Sequence, residues 1–287
     1  MTSSLKKQLP SNASAGMTLD APSHWRCVDF ISDLHLQSSE LLTFSTWTDY
    51  LRGTVADAVF ILGDLFEVWV GDDMLSLDSG FEKQCADTLW AASQRLDLYI
   101  LRGNRDFLMG TRLMNACGGT LLEDPTVLSF ANDRWLLTHG DAWCLEDTDY
   151  MQFRTLVRTQ QWQQAFLCKP LMERVQIARS MRAQSEARKD TKTSFIDVDQ
   201  ETAINHLAVA RASHIIHGHT HRPGHQVLGK NCERLVLSDW DMTARQPRAE
   251  VLRLRHTCTS AANSYSIERI PPNMAMSPKG TTPNLVD

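Results

Sequence analysis

The chain has 287 residues, enough for one large domain with a substantial core, and its 43% hydrophobic and 22% charged residues exclude wholesale disorder. A formal net charge of −5 argues against a dedicated duplex-DNA binder, whose footprint is a basic face. Seven scattered cysteines with no C-x-x-C pair read as reduced thiols of a cytosolic protein rather than a disulfide framework.

The first 24 residues carry Lys6 and Lys7 but no apolar h-region, so they read as a flexible, Ser/Ala-rich extension and not as a secretory signal. Folding signals begin at Trp25. Cys27 to Ile31 is a short β-prone run leading into Ser32-Asp33, and Leu41 to Leu51 has helix length. Val59-Phe60-Ile61-Leu62 is a continuous apolar run ending at Gly63, the pattern of a strand buried on both faces. Phe81 to Arg95 is a second helix-length segment, and Leu98-Tyr99-Ile100-Leu101 repeats the strand pattern before Gly103. Trp135-Leu136-Leu137-Thr138 repeats it before His139.

Residues 150–192 break this rhythm. Tyr150, Phe153, Leu156 and Val157 fall at helix-face spacing, and Pro170 fits a first helical turn, so it divides two helices. This insert carries nine Lys/Arg against three Asp/Glu, a net +6 that leaves −11 for the remainder. Such a basic helical insert suits an anionic substrate or a membrane surface; a solvated helical hairpin is the plainer alternative. Ile215-Ile216 supplies a further strand before Gly218, and from about Thr257 the Ser/Pro/Asn-rich chain reads as a loose tail. The domain is therefore expected over 25–256, with an insertion at about 150–192. No apolar stretch approaches the roughly 20 residues of a membrane span.

Strands alternating with helices imply α/β units, and in open α/β sheets ligands bind beyond the carboxyl ends of the strands. Five clusters sit on that side of their strands: Asp33-Leu34-His35, Gly63-Asp64, Gly103-Asn104-Arg105-Asp106, His139-Gly140-Asp141 and Gly218-His219-Thr220-His221. Each is commonplace alone, since Asp after Gly is usually a turn residue and a lone His is usually structural. Together they supply imidazole, carboxylate and amide oxygen, a donor set suited to Mn, Fe or Zn. Two divalent cations about 3.5–4 Å apart clamp both the attacking and the leaving oxygens of a phosphoryl centre. Asp64, after a buried strand, is the natural bridging carboxylate. Asp33, His35, Asn104, His139, His219 and His221 complete a set of seven. His24, His206, His214, His225 and His256 fall outside the pattern, and His217 lies within a strand, packed or behind the ligands.

These motifs resemble the signature of the calcineurin-like metallophosphoesterases, over residues 25 to about 255. That resemblance implies an α-β-β-α layered sandwich with a helical cap insertion. The superfamily usually has His where this chain has Arg105. A narrower match covers Gly63 through Asp73, the Gly-Asn-Arg-Asp motif, Asp147, Tyr150 and Phe153-Arg154. Met181-Arg182-Ala183-x-Ser185, Lys192 and Arg222-Pro223 extend it. These stretches are similar to the UDP-2,3-diacylglucosamine hydrolase branch of lipid A biosynthesis. Cys144-Leu145-Glu146-Asp147 departs from the branch pattern.

The resemblance implies hydrolysis of a nucleotide-linked glycolipid at its pyrophosphate, at the cytoplasmic face of a Gram-negative inner membrane. It implies one Mn²⁺ on Asp33, His35, Asp64 and His221, and a second on Asp64, Asn104, His139 and His219, with Mg²⁺, Fe²⁺ or Zn²⁺ as alternatives. By matching position, Asn104, Arg105, Asp147, Ser185, Lys189, Lys192 and His219 would contact the substrate. Asp64, Asn104, Arg105 and His139 are the expected catalytic residues, and no nucleic-acid or obligate protein partner is expected.

Arg105 fits independently. A phosphate leaving group has a second pKa of about 6 and needs little protonation, whereas a planar guanidinium grips phosphate oxygens through paired hydrogen bonds. The expected mechanism is in-line attack by a metal-activated hydroxide, with Asp106 orienting a neighbouring group. The insert would cover the acyl chains and rest on the membrane through Trp162, Phe166 and Leu167. Two alternatives stay open: a soluble phosphoesterase acting on nucleotides or dinucleoside polyphosphates, and a metal-binding scaffold without turnover.

Overall fold

The computed structural model describes residues 16–77, 80–189, 196–229, 231–259 and 262–276, without the side chains of 184–189, 257–259 and 262–264. In chain order the first half comprises β1 (Met17–Asp20), β2 (Cys27–Ile31), α1 (Leu41–Gly53), β3 (Ala58–Leu62), α2 (Phe81–Ser93), β4 (Asp97–Leu101), α3 (Thr111–Cys117), β5 (Thr120–Leu121), β6 (Thr126–Phe130) and β7 (Asp133–Leu137). Then follow α4 (Thr148–Val157), α5 (Gln160–Leu167), α6 (Leu171–Lys189), α7 (Gln200–Ala210), β8 (His214–His217), β9 (Gly224–Gly229), β10 (Cys232–Val236), β11 (Val251–Thr259) and β12 (Ala262–Ile270).

Among the described residues two six-stranded sheets form, ordered β12-β11-β2-β3-β4-β5 and β1-β6-β7-β8-β10-β9. The parallel core of the first is β2 through β5. Its central strand β3 is apolar on both faces because both faces are covered, as its unbroken apolar run requires. Val28, Phe30, Ala58, Phe60 and Leu62 point at the other sheet, meeting Trp135, Leu137, Ile216 and Leu235. Cys27, Ile31, Val59 and Ile61 point the other way, under α1, α2 and α3. Phe30 stacks on Phe60 at 5.2 Å and Phe60 on Tyr99 at 4.7 Å, so in-register aromatic rungs run across three strands. On the far side, α7 covers β7 and β8 through Ala203, Leu207 and Ile215. This is the expected α-β-β-α sandwich.

Two expected boundaries change. Met17–Asp20 pairs with β6, so the domain begins within the expected extension of residues 1–24. The presumed tail from Thr257 contains the end of β11 and all of β12, which pair along Val251↔Ile270 to Thr259↔Ala262. Tyr265 and Ile267 pack on the inter-sheet core and Ala275 is buried, reasons a polar composition does not reveal. The wholly buried Asp29–Arg253 pair, at 2.7 and 2.8 Å, ties β2 to β11, and Tyr50 and Thr54 hydroxyls donate to the same carboxylate.

The insert is three helices, not two. Thr159 caps α5 through its side chain and so separates it from α4, while Pro170 immediately precedes α6 as its ring geometry favours. Among the described residues no helix is long and apolar enough to cross a membrane.

Candidate metal centre

The loops leaving β2, β3, β4, β7 and β8 converge and bring all seven expected ligands together. Asp33 Oδ1 lies 3.3 Å from His221 Nε2, which is 3.2 Å from His35 Nε2. Asp64 lies 3.7 Å from His139 Nε2 and 4.0 Å from His35 Nδ1. Asn104 Oδ1 sits 3.0 Å from His139 Nε2 and 2.8 Å from His219 Nδ1. Two sets have donor atoms close enough for one ion each: Asp33, His35 and His221, and Asp33, Asp64 and His139.

Backbone geometry marks the same residues. Asp33, His35, Asp64, His219 and His221 all have φ between 48° and 66°, the left-handed region that costs a non-glycine residue about 1–3 kcal/mol. Five such residues in one site persist because the surroundings fix them. Asp33 N–H donates to Gly63 O, His35 N–H to Asp64 O, and Trp240 N–H to Asp33 O. Asp33 Oδ2 also accepts from His219 N–H at 2.9 Å. Close approach explains two glycines: a Cβ at Gly103 would lie 2.1 Å from Asp64 Oδ1, and one at Gly218 would lie 2.3 Å from Asp33 Oδ2.

The electrostatics suit cations. His139 Nδ1 lies 2.9 Å from the Leu62 carbonyl, an acceptor only, so Nδ1 carries the hydrogen and Nε2 faces the Asn104 oxygen. A lone pair directed at an amide oxygen requires a proton or a metal between them. Burial alone would lower the His139 pKa, but Asp64, Asp33 and Asp141 outweigh it and raise it to about 9. Burial and Arg105 hold His35 well below its usual range, and its buried Nδ1 makes no hydrogen bond. The carboxylates thus attract positive charge into a pocket of imidazole and amide donors, and the residues fit divalent metal ions.

Around this centre stand groups that spacing alone did not assign. Arg105 donates its backbone N–H to Asp64 Oδ1 at 2.9 Å, and its Nε lies 3.4 Å from Asp64 Oδ2. Its Nη1 lies 2.5 Å from Glu67 Oε2. Glu67 also pairs with Arg182 and lies 3.5 Å from His35 Nδ1. Asp106 accepts from Gly103, Leu65 and Phe66 N–H groups, which joins the loops after β3 and β4. Burial and the neighbouring Asp64 push its carboxyl up to about 7. Glu67 lay within the Gly63–Asp73 stretch that carries the branch resemblance, but that placement does not reveal the arginines it meets.

The insert is fastened to this frame. Asp141 Oδ2 accepts from Arg154 Nε at 2.7 Å and from the Tyr150 hydroxyl at 2.5 Å, and lies 3.8 Å from Arg158. Arg174 pairs with Asp73 and donates to Val70 O. Asp72 caps α3 by accepting from Gly110, Arg112 and Leu113 N–H groups. The Gly63–Asp73 stretch is therefore both ligand loop and cap fastening. Part of the insert's basic charge is turned inward, where Arg154, Arg158, Arg174 and Arg182 meet acidic groups of the body, while Lys169 pairs with Glu173 on the insert's own surface. Phe166, expected on the outer face, is buried and stacks on Trp162 at 4.6 Å, whereas Leu167 is exposed.

Of the expected substrate contacts, Asn104, Arg105 and His219 stand at the metal centre. Asp147 caps α4, accepting from Tyr150 N–H. Ser185 and Lys189 fall on α6, but their side chains, like the whole of Lys192, lie outside the described residues. His217 sits behind the ligands: its Nε2 accepts from Arg234 Nε at 2.8 Å and its Nδ1 lies 2.8 Å from Gly218 O. His206 stacks on Trp143 and His214 on Trp135, away from the centre.

A calcineurin-like phosphoesterase family model matches residues 28–223. The chain is 44% identical over 219 residues to a UDP-2,3-diacylglucosamine hydrolase of Chromobacterium violaceum, covering 74% of this chain and 90% of that one. It is 38% identical over 222 residues to the protein of that name from Bordetella pertussis, covering 75% and 86%. Among solved structures, a Vps29 single mutant from Entamoeba histolytica aligns at a TM-score of 0.41 with 13% identity, covering 85% of this chain and 99% of that one.

Proposed function

The chain belongs to the calcineurin-like phosphoesterases and, within them, to the UDP-2,3-diacylglucosamine hydrolases, and on that premise we propose that it cleaves the pyrophosphate bond of UDP-2,3-diacylglucosamine. The products are UMP and 2,3-diacylglucosamine 1-phosphate (lipid X), an intermediate of lipid A biosynthesis. The observation that carries this reading is Arg105, whose guanidinium lies against Asp64 on the loop that also presents Asn104. In the reaction one anhydride P–O bond breaks, and water supplies the new oxygen and the protons.

Asp33, His35, Asp64 and His221 would hold one Mn²⁺, and Asp64, Asn104, His139 and His219 a second. Bound there, two divalent ions supply a water nucleophile at neutral pH and neutralise phosphoryl charge. The protein's own part is orientation and charge. The Leu62 carbonyl fixes the His139 tautomer. Arg105 grips the phosphoryl oxygens through its planar fork and follows the charge as it shifts to the leaving phosphate, which needs no acid. Asn104 and His219 face the sugar phosphate, and Asp147, Ser185, Lys189 and Lys192 bind its sugar and acyl-amide groups. The helical cap covers the acyl chains. Its exposed Leu156, Leu167, Met172 and Met181 rest on the cytoplasmic face of the inner membrane, in place of the buried Phe166.

Purified protein with Mn²⁺, assayed on UDP-2,3-diacylglucosamine and on a dinucleoside polyphosphate, tests the reading. Faster turnover of the glycolipid nucleotide is expected. Equal or faster turnover of the soluble substrate would overturn it, and no turnover with Mn, Mg, Fe or Zn would leave a metal-binding scaffold.

A further inference from the structure

Glu67 stands where three otherwise separate parts meet. Its backbone N–H donates to Leu36 O, next to His35, so the strand-end ladder that holds the ligand loops also fixes Glu67. Its Oε2 faces Arg105 Nη1 at 2.5 Å and His35 Nδ1 at 3.5 Å. Its Oε1 pairs with Arg182 Nη1, and its carbonyl oxygen accepts from that same nitrogen at 3.2 Å. Arg182 belongs to α6, eight residues after Arg174, whose guanidinium grips Asp73 and Val70 O. Positions i and i+8 share a helix face about 12 Å apart along the axis. The cap helix is thus pinned twice to the loop after β3, once remote from the metal ligands and once directly beside them.

The charges reinforce this. The Glu67, Arg105 and Arg182 side chains are 14%, 20% and 24% exposed, so their attraction is screened far less than that of a surface pair. One carboxylate between two guanidiniums leaves a net positive pair facing an anionic substrate. Without that carboxylate the two cations repel each other, and each loses its ion pair with Glu67.

We propose that Glu67 is a positioning residue that holds the Arg105 guanidinium at the metal centre and, through Arg182, seats the cap helix α6 over it. The proposal deepens the hydrolase reading and rests on it for the role of Arg105. Glu67 touches no reacting atom; it acts through Arg105 and Arg182.

The test uses the full-length, Mn²⁺-loaded protein with Glu67→Ala and Glu67→Gln, each also made in Arg105→Ala and Arg182→Ala backgrounds. Glu67→Ala is expected to lower kcat and raise KM for UDP-2,3-diacylglucosamine, together cutting kcat/KM by about 10–100-fold, the range seen when outer carboxylates behind a site are removed. In the Arg105→Ala background it should lower kcat by no more than about twofold, and in the Arg182→Ala background it should raise KM by no more than about twofold, since the partner is already gone. Independently of activity, hydrogen exchange across residues 171–189 should quicken in both Glu67 variants without substrate. Glu67→Gln keeps the side-chain volume and carries the same test if the alanine variant does not fold. Unchanged exchange in α6, or effects that simply multiply in both backgrounds, would overturn the proposal. If the wild-type protein fails to turn over the glycolipid nucleotide, the hydrolase reading falls alone, and the exchange measurement still decides whether Glu67 seats the cap.

Discussion

Asp141→Ala is the most telling single perturbation, because one buried carboxylate beside the metal centre gathers two side chains of α4 and its C-cap Arg158. The side chain is fully buried and accepts from Arg154 Nε at 2.7 Å and the Tyr150 hydroxyl at 2.5 Å, with Arg158 3.8 Å away. Burial opposes ionisation, yet His139 and Arg154 outweigh it and hold the carboxyl below the usual range, so it is charged at neutral pH. Bonds to a charged group contribute about 1.5–3 kcal/mol each, and breaking a buried pair costs about 3–5 kcal/mol. Arg154 and Arg158 keep 23% and 25% of their side chains exposed, so water recovers part of the loss. About 3 kcal/mol is therefore expected, towards the lower end of that range. Urea denaturation of the Mn²⁺-loaded protein should show a lower midpoint with little change in slope. Hydrogen exchange over 148–157 should quicken, and turnover should fall while Mn²⁺ content holds. Adding Arg154→Leu should restore part of the stability, because the cation that held the shortest bond to the lost carboxylate is then gone too. A loss below about 1 kcal/mol, or unchanged protection of α4, would refute the reasoning.

Arg105→Lys keeps the charge but loses the fork, and should lower kcat by about 10²–10³-fold with metal content unchanged; near-wild-type kcat in a direct product assay would refute the clamp. Gly103→Ala drives a Cβ to 2.1 Å from Asp64 Oδ1, so elemental analysis after native purification should find metal lost from the chain. Asp29→Ala strands Arg253 in the interior and should cost about 3–5 kcal/mol in the same denaturation experiment, whereas a neutral result would mean that water reaches the pair. His214, held below the usual histidine range mainly by burial, predicts a pH dependence. The unfolded chain takes up a proton at about pH 6.5 that the folded chain accepts only at lower pH, so stability falls on acidification below that value. His214→Gln abolishes this contribution, and the stability gap between wild type and variant should shrink as pH falls; parallel curves would exclude it.

The strands of the centre were legible because β3, β4 and the start of β2 are covered on both faces and must be continuously apolar. The five clusters were legible because parallel strands deliver their carboxyl ends to one side. β1 and β12 were not, since a strand that pairs at a sheet edge needs no strong apolar run, and the polar residues beside them resemble a tail. The insert showed its helical period but not that Thr159 divides it, nor that Arg154, Arg158, Arg174 and Arg182 face inward, because sequence spacing says nothing about which acids lie across the gap.

Sequence alone determined the seven ligand candidates, their order and the α/β class, because these depend on residue type and local period, and the resemblance marked Arg105 as standing where the superfamily usually has histidine. Tertiary structure alone decided the left-handed backbone at five of the ligand candidates, the His139 tautomer set by the Leu62 carbonyl, and the pairing of Glu67 and Asp141 with the cap. The physical reason is distance: Glu67 and Arg182 are 115 residues apart in the chain, and only the packing of α6 against the loop after β3 makes them neighbours.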